Sequence, residues 1–113
     1  MVILNTENGE VIPSLTIGDF VDATAYDPDL GLIFNSNGDG TLTVIHQDTK
    51  DKYSIIESVK TQVGARTMAL DLKTHNLFLS VADLGPRPDP TPEQPHPRPS
   101  IIPGTFNVLV FGQ

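Results

Sequence analysis

The chain contains no cysteine and no tryptophan, and its seven lysines and arginines face fourteen acidic residues. Each shortage excludes something. Without cysteine there is neither a disulfide framework nor a thiolate metal site. The cellular compartment stays open, because exported bacterial proteins often lack cysteine as well. A formal charge of −7 argues against a general nucleic-acid surface, which needs clustered cations. No apolar run approaches the ~20 residues of a membrane helix. The start, "MVILNTENGE", turns polar after four residues, so no signal peptide is expected in this chain. Helical periodicity is missing too.

What is present is a series of short β-branched and aromatic runs separated by Asn, Asp, Gly and Pro. This pattern predicts strands at 2–6, 11–17, 22–27, 31–36, 41–47, 53–59, 66–71, 76–81 and 106–112. The turn chemistry agrees. Asn8-Gly9 tolerates positive φ at both positions and predicts a hairpin, and "NSNGDGT" offers another at Asn37-Gly38 or Asp39-Gly40. The expected fold class is all-β, joined by hairpins.

A shift of 44 positions lays "DATAYDPDLGLIFNSNGD" (22–39) on "RTMALDLKTHNLFLSVAD" (66–83) without a gap. Ala25 meets Ala69, Asp27 meets Asp71, Phe34 meets Phe78, Ser36 meets Ser80 and Asp39 meets Asp83. Further on, "GTLTVIHQ" (40–47) reads like "GTFNVLVFGQ" (104–113), provided the second copy carries an insertion of about 20 residues. That insertion, "GPRPDPTPEQPHPRPSIIPG" (85–104), holds eight of the ten prolines. A repeat of this length with four strands is the signature of a β-propeller blade. With strands lettered A to D from the channel outward, the expected plan is C-D (1–18), A-B-C-D (19–62) and A-B-C (63–113). The proline run (85–103) then replaces a B–C hairpin loop. Proline locks φ and removes donors, so such a loop stays extended without ladder partners. It reads as a solvated semi-rigid flap, with a lid, or a ligand for an SH3- or WW-type groove, as the functional alternatives.

These residues also carry a resemblance. "VIPSLTIGDFVDATAYDPDLGLIFNSNGDGTLTVIHQD", then "TQVGARTMALDLKTHNLFLSVADLGP", a Pro-rich stretch and "PGTFNVLVFGQ", resemble the YVTN-type repeats of YncE-like β-propellers. The resemblance implies a part of a seven-bladed propeller, from its C-terminal portion, in a parent protein that is periplasmic or secreted. A chain that starts at strand C and stops after strand C, at Gln113, is expected to be a C-terminal fragment, a truncated reading frame or a self-assembling piece. Self-association through open blade edges follows as an expectation.

In propellers the D–A and B–C loops open on one face, so Arg66, Asn37, Asp39 and His96 in the flap form the expected ligand-binding set. An ion pair with an acidic neighbour is the plainer role for Arg66. "NSNGDG" (35–40) mimics a calcium loop, but it begins with Asn and has His46 where a bidentate Glu is needed. A hairpin turn explains it, and no metal is expected. His46, His75 and His96 lack ligand spacing, and the first two fall at different strand positions. Asp27 and Asp71 read as turn caps with no visible chemical partner. No Ser-His-Asp arrangement can be argued from spacing.

Two functions follow. A non-enzymatic module that binds a protein or a small ligand is preferred, with no cofactor. The alternative is part of a lactonase-like or quinoprotein-dehydrogenase-like enzyme whose catalytic residues lie in blades outside this chain. Fold alone does not separate the two, because propellers host many activities.

Overall fold

The computed structural model describes residues 1–112, and Gln113, the last residue of the expected A-B-C unit (63–113), lies outside them. Nine strands form in order: β1 (Val2–Leu4), β2 (Val11–Ser14), β3 (Val21–Asp27), β4 (Leu32–Asn37), β5 (Thr41–Thr49), β6 (Lys52–Lys60), β7 (Met68–Asp71), β8 (Asn76–Val81) and β9 (Asn107–Phe111). Among the described residues there is no helix. Strand centres agree with the alternating runs of the sequence, and β7 begins two residues later than expected, at Met68.

The strands make three separate antiparallel meanders: a first sheet β1-β2, a central sheet β3-β4-β5-β6 and a last sheet β7-β8-β9. Each strand pairs with its sequence neighbour, and no sheet closes on itself among the described residues. The chain breaks pairing after β2 and after β6. There, sheet packing takes over: β2 lies against β6, and β3 runs beside β7.

Why these breaks occur is visible in the side chains. Alternation on β8 buries Leu77, Leu79 and Val81 while leaving Asn76, Phe78 and Ser80 half-covered. The buried trio packs on Phe34, Leu42 and Val44 of the central sheet, with Ala65 closing the cluster. Burying one such Leu contributes about 1.5–3 kcal/mol. The central sheet is covered on both faces, and so Ile33 to Asn37 are all buried in succession. Its second face turns Ile33 and Ile45 towards the first sheet, where Met1, Ile3, Thr24, Tyr26 and Tyr53 line a shallow cleft. The two-sided burial of β4 and β5 takes polar Asn35, Ser36, Asn37 and Thr43 into the interior beside the apolar residues.

Turns follow the sequence signals. The β4–β5 connection closes with Gly40 N–H donating to the Asn37 carbonyl at 3.2 Å, and Gly40 holds φ at +94°. On the outer edge, Val44 pairs with Glu57 and Ile45 with Ile55, which makes Ile56 the extra residue of a β-bulge.

The proline segment departs from a freely solvated flap at both ends. Its neck is zipped: Ile102 N–H donates to the Asp83 carbonyl (2.8 Å), Gly85 N–H to Ser100 (2.8 Å), and Leu84 bridges Ile101. Its tip is a tight turn in which Thr91 and Gln94 exchange backbone bonds of 3.0 and 3.1 Å. Most of it is exposed, yet Pro97 is buried. A ring without donors is the residue type that a dry contact tolerates best.

Candidate functional site

Two places gather polar and strained residues, at opposite ends of the strands. The first is the loop cluster beyond the ends of β4 and β6. Gly38 N–H donates to the Phe20 carbonyl (2.8 Å), Gly64 N–H to the Gly38 carbonyl (3.0 Å) and Thr61 N–H to the Gly40 carbonyl (2.7 Å). Ser36 Oγ donates to the Arg66 carbonyl, and Gln62 Nε2 donates to Asp83 Oδ1 at 2.8 Å. Loops belonging to the central and last sheets are thereby tied into one platform that reaches the neck of the proline flap.

Of the expected ligand-binding residues, three belong to this platform, and they divide. Arg66 is exposed, and among the described residues it makes no ion pair, so the structural pairing expected for it is absent. Its side chain lies over Gly38, where an added Cβ would come within 3.0 Å of Arg66 Cδ and 3.1 Å of Phe20 Cβ. Asn37 is corrected: its side chain is fully buried and faces inward, with Nδ2 donating to Thr41 Oγ1 (3.1 Å) and Thr43 Oγ1 (3.0 Å). Strand alternation aims position 37 the same way as Ile33 and Asn35. Asp39 is exposed but occupied. It accepts from Thr41 Oγ1 (2.6 Å), Thr41 N–H (3.0 Å) and Asp19 N–H (2.8 Å). The Thr41 hydroxyl and the Asp19 amide hold its carboxyl below the ordinary value. His96 is exposed in the flap and makes no hydrogen bond or ion pair with the other three. Sequence reasoning passed over Phe20, which is 77% exposed with φ at +59°. Its signal was a large aromatic between Gly18-Asp19 and the next strand, where a turn residue is usual.

The second place is the β3–β4 turn with the β7–β8 turn. Asp27 and Asp71 cap their turns: Asp27 Oδ1 accepts from Asp29 N–H (3.1 Å) and Leu30 N–H (3.3 Å), and Asp71 Oδ1 from Lys73 N–H (2.9 Å). Asp27 has a partner that the spacing had not revealed. His75 Nδ1–H donates to its second oxygen at 2.5 Å, across the gap between central and last sheets. The Asp27 side chain is fully buried and the imidazole mostly so. Burial pushes the Asp27 carboxyl up, but the His75 hydrogen bond, the Leu30 and Asp29 amides and the imidazole charge outweigh it, and the carboxyl stays below its usual value. His75 occupies the register position of Gly31, and both have positive φ, +61° and +65°. A left-handed His costs roughly 1 kcal/mol that Gly does not. Asp29 completes the group: one donor atom from each of Asp27, Asp29 and His75 lies within 4.8 Å of the others. Such a trio holds a proton in place or offers one carboxylate–imidazole face to a cation.

The calcium-like segment bonds largely within the fold: Asn35 Oδ1 accepts from Thr24 Oγ1 (2.8 Å) and Asn37 Nδ2 donates as above, while the buried Asn37 Oδ1 has no hydrogen-bond partner among the described residues. His46 pairs with Asp48 (2.7 Å), away from His75 in partner. Of the described residues, no helix is long and apolar enough to cross a membrane. No protein-family model, curated protein or solved structure matches the chain.

Proposed function

We propose that the chain is a section of a β-propeller and serves as a non-enzymatic binding scaffold, with the loop platform as its ligand side. The radial reading is supported by three sheets of two, four and three strands, each an antiparallel meander, set face to face with β3 beside β7. The YncE-like resemblance extends the proposal to an exported parent of seven blades.

One observation carries the binding role: Phe20 and Arg66 each lie against Gly38 on a hydrogen-bonded platform, both exposed, one strained and the other without an ion pair among the described residues. Large aromatics and arginines are the residues that dominate interfaces. Strained backbone persists where the surroundings hold it and function uses it. The ligand that fits is an anionic group with an apolar portion, such as an acidic peptide. Selection from an array of acidic–aliphatic peptides tests this. Binding of the selected peptide is expected to weaken about tenfold, or ~1.4 kcal/mol, in Arg66→Ala with no change in thermal midpoint. An array with no enriched peptide, or equal binding by the variant, contradicts it.

The enzyme reading is favoured by one observation, the convergence of Asp27, Asp29 and His75. It expects zinc, manganese or calcium to raise the melting temperature through these groups, and His75→Asn to abolish the rise.

A further inference from the structure

The chain holds two Asn-Gly pairs, Asn8-Gly9 and Asn37-Gly38, and the fold treats them in opposite ways. An asparagine followed by glycine can close on itself. The glycine amide nitrogen attacks the asparagine Cγ, so that a new C–N bond forms and the Cγ–Nδ2 bond breaks. The amide proton passes, by way of a base such as hydroxide, to the departing nitrogen, which leaves as ammonia. Water then opens the cyclic imide at either carbonyl and leaves aspartate or isoaspartate. No oxidant or cofactor enters. Glycine favours the attack because no Cβ crowds its nitrogen.

Asn8 is exposed in the β1–β2 turn. Its Oδ1 accepts from the Glu10 N–H at 2.9 Å. That bond turns the carboxamide towards the residues that follow, where the Gly9 nitrogen lies, and polarises the carbonyl to be attacked. A donor placed on an oxygen that gains negative charge lowers the barrier of acyl chemistry. Gly9 has φ +73°, and the space where a Cβ would stand is empty to 4 Å. Asn37 lacks this freedom. It is fully buried in β4, and the Thr41 and Thr43 hydroxyls hold its Nδ2. Arg66 and Phe20 crowd Gly38. Both glycine amides donate to a carbonyl, Gly9 to Asn5 (2.7 Å) and Gly38 to Phe20 (2.8 Å), so that bond does not separate the two. Exposure of such a turn belongs to its place in the sheet. The β5–β6 turn, whose sheet has a neighbour on each side, also leaves Lys50 and Asp51 exposed.

We propose that Asn8 is a site of spontaneous deamidation in the folded chain and that burial protects Asn37. The product adds a negative charge between Glu7 and Glu10, and as isoaspartate it adds one carbon to the main chain of the turn. Asn5, Thr6 and Glu7 share a shallow cleft with Lys50 and Asp51 of the β5–β6 turn. The change therefore falls at the end of the strands away from Phe20 and Arg66, and it does not depend on the binding role proposed for them.

Incubation at mildly alkaline pH, followed by isoelectric focusing and peptide mass mapping, tests this. The folded chain is expected to gain one negative charge, which mapping assigns to Asn8 as a mixture of aspartate and isoaspartate. Asn37 is expected to react at least about a hundredfold more slowly, because reaching it requires a core strand to open. In urea, where neither pair is sheltered, the two are expected to react alike. Gly9→Ala is expected to slow the reaction at Asn8 by about tenfold or more, since a Cβ then crowds the nitrogen. Asn8→Gln, which must close a larger ring, serves as the slow variant where circular dichroism shows that Gly9→Ala does not fold. Three results would each overturn the proposal: Asn8 intact in the folded chain while it reacts in urea, Asn37 keeping pace with Asn8 in the folded chain, or the folded slow variant reacting as fast as wild type.

Discussion

Leu42 and Phe106 follow the same Gly-Thr in the two copies of the repeat, and their surroundings set opposite costs for truncating them. Leu42 is 2% exposed in the cluster between central and last sheets, whereas Phe106 is largely open. Leu42→Ala removes buried methyl groups and leaves a cavity, which costs about 2–5 kcal/mol. In urea, with m of about 1–3 kcal/mol/M, the midpoint falls by roughly 1–2 M. In a thermal scan the drop is on the order of 10–20 °C for a domain of this size. Phe106→Ala, made in dilute protein, loses only partial contacts and stays within about 0.5 kcal/mol. Urea titrations of wild type and the two variants measure both costs. Equal costs for the two variants in dilute solution would refute the reasoning, because the two faces would then have the same environment.

Four carboxyls, Asp27, Asp39, Asp48 and Asp71, titrate below their ordinary value of 3.8 in the folded chain. The unfolded chain therefore binds protons first as the pH falls, so their stabilisation is complete above about pH 4 to 5 and is lost as pH drops through the folded values. The melting temperature is expected to hold between pH 7 and 5 and fall below 4, and a rise on acidification would contradict the assignment. His75→Gly removes the left-handed strain together with the Asp27 bond, and the net is expected to be destabilising, as read from the urea midpoint, because a buried carboxylate is left short of a donor. A gain in stability would assign His75 no structural role. Gly40→Ala combines positive φ with a Cβ only 3.1 Å from the Val63 amide nitrogen, whereas Gly9→Ala meets open space at φ +73°. The first is expected to cost at least 1 kcal/mol more than the second, beyond the roughly 1 kcal/mol of left-handed strain both share. Equal urea midpoints for the two would contradict the packing at Gly40.

Much of the strand plan was legible because two local signals coincide along the chain. β-branched residues alternate or run on, and Asn, Asp and Gly mark turns such as Asn37–Gly40. The repeat was legible because Phe34 and Phe78, and Asp27 and Asp71, occupy like positions. The Asp27–His75 bond was not, since its members lie 48 residues apart in different sheets. The register nevertheless held a clue, a His where the sister turn has Gly31. Asn37 misled because an Asn beside Gly-Asp-Gly reads as turn surface, while strand alternation turns its amide into the sheet interior. Buried Pro97 was hidden by its context, since composition describes the flap as a whole and not the one ring that finds a dry contact.

The stacking of separate sheets is tested most directly by nuclear Overhauser contacts in the labelled chain. The account predicts cross-peaks from the Phe34 ring to the Leu77 and Leu79 methyls, and no amide-to-amide ladder between β6 and β7. A continuous β6–β7 ladder, with Phe34 remote from Leu79, would contradict it.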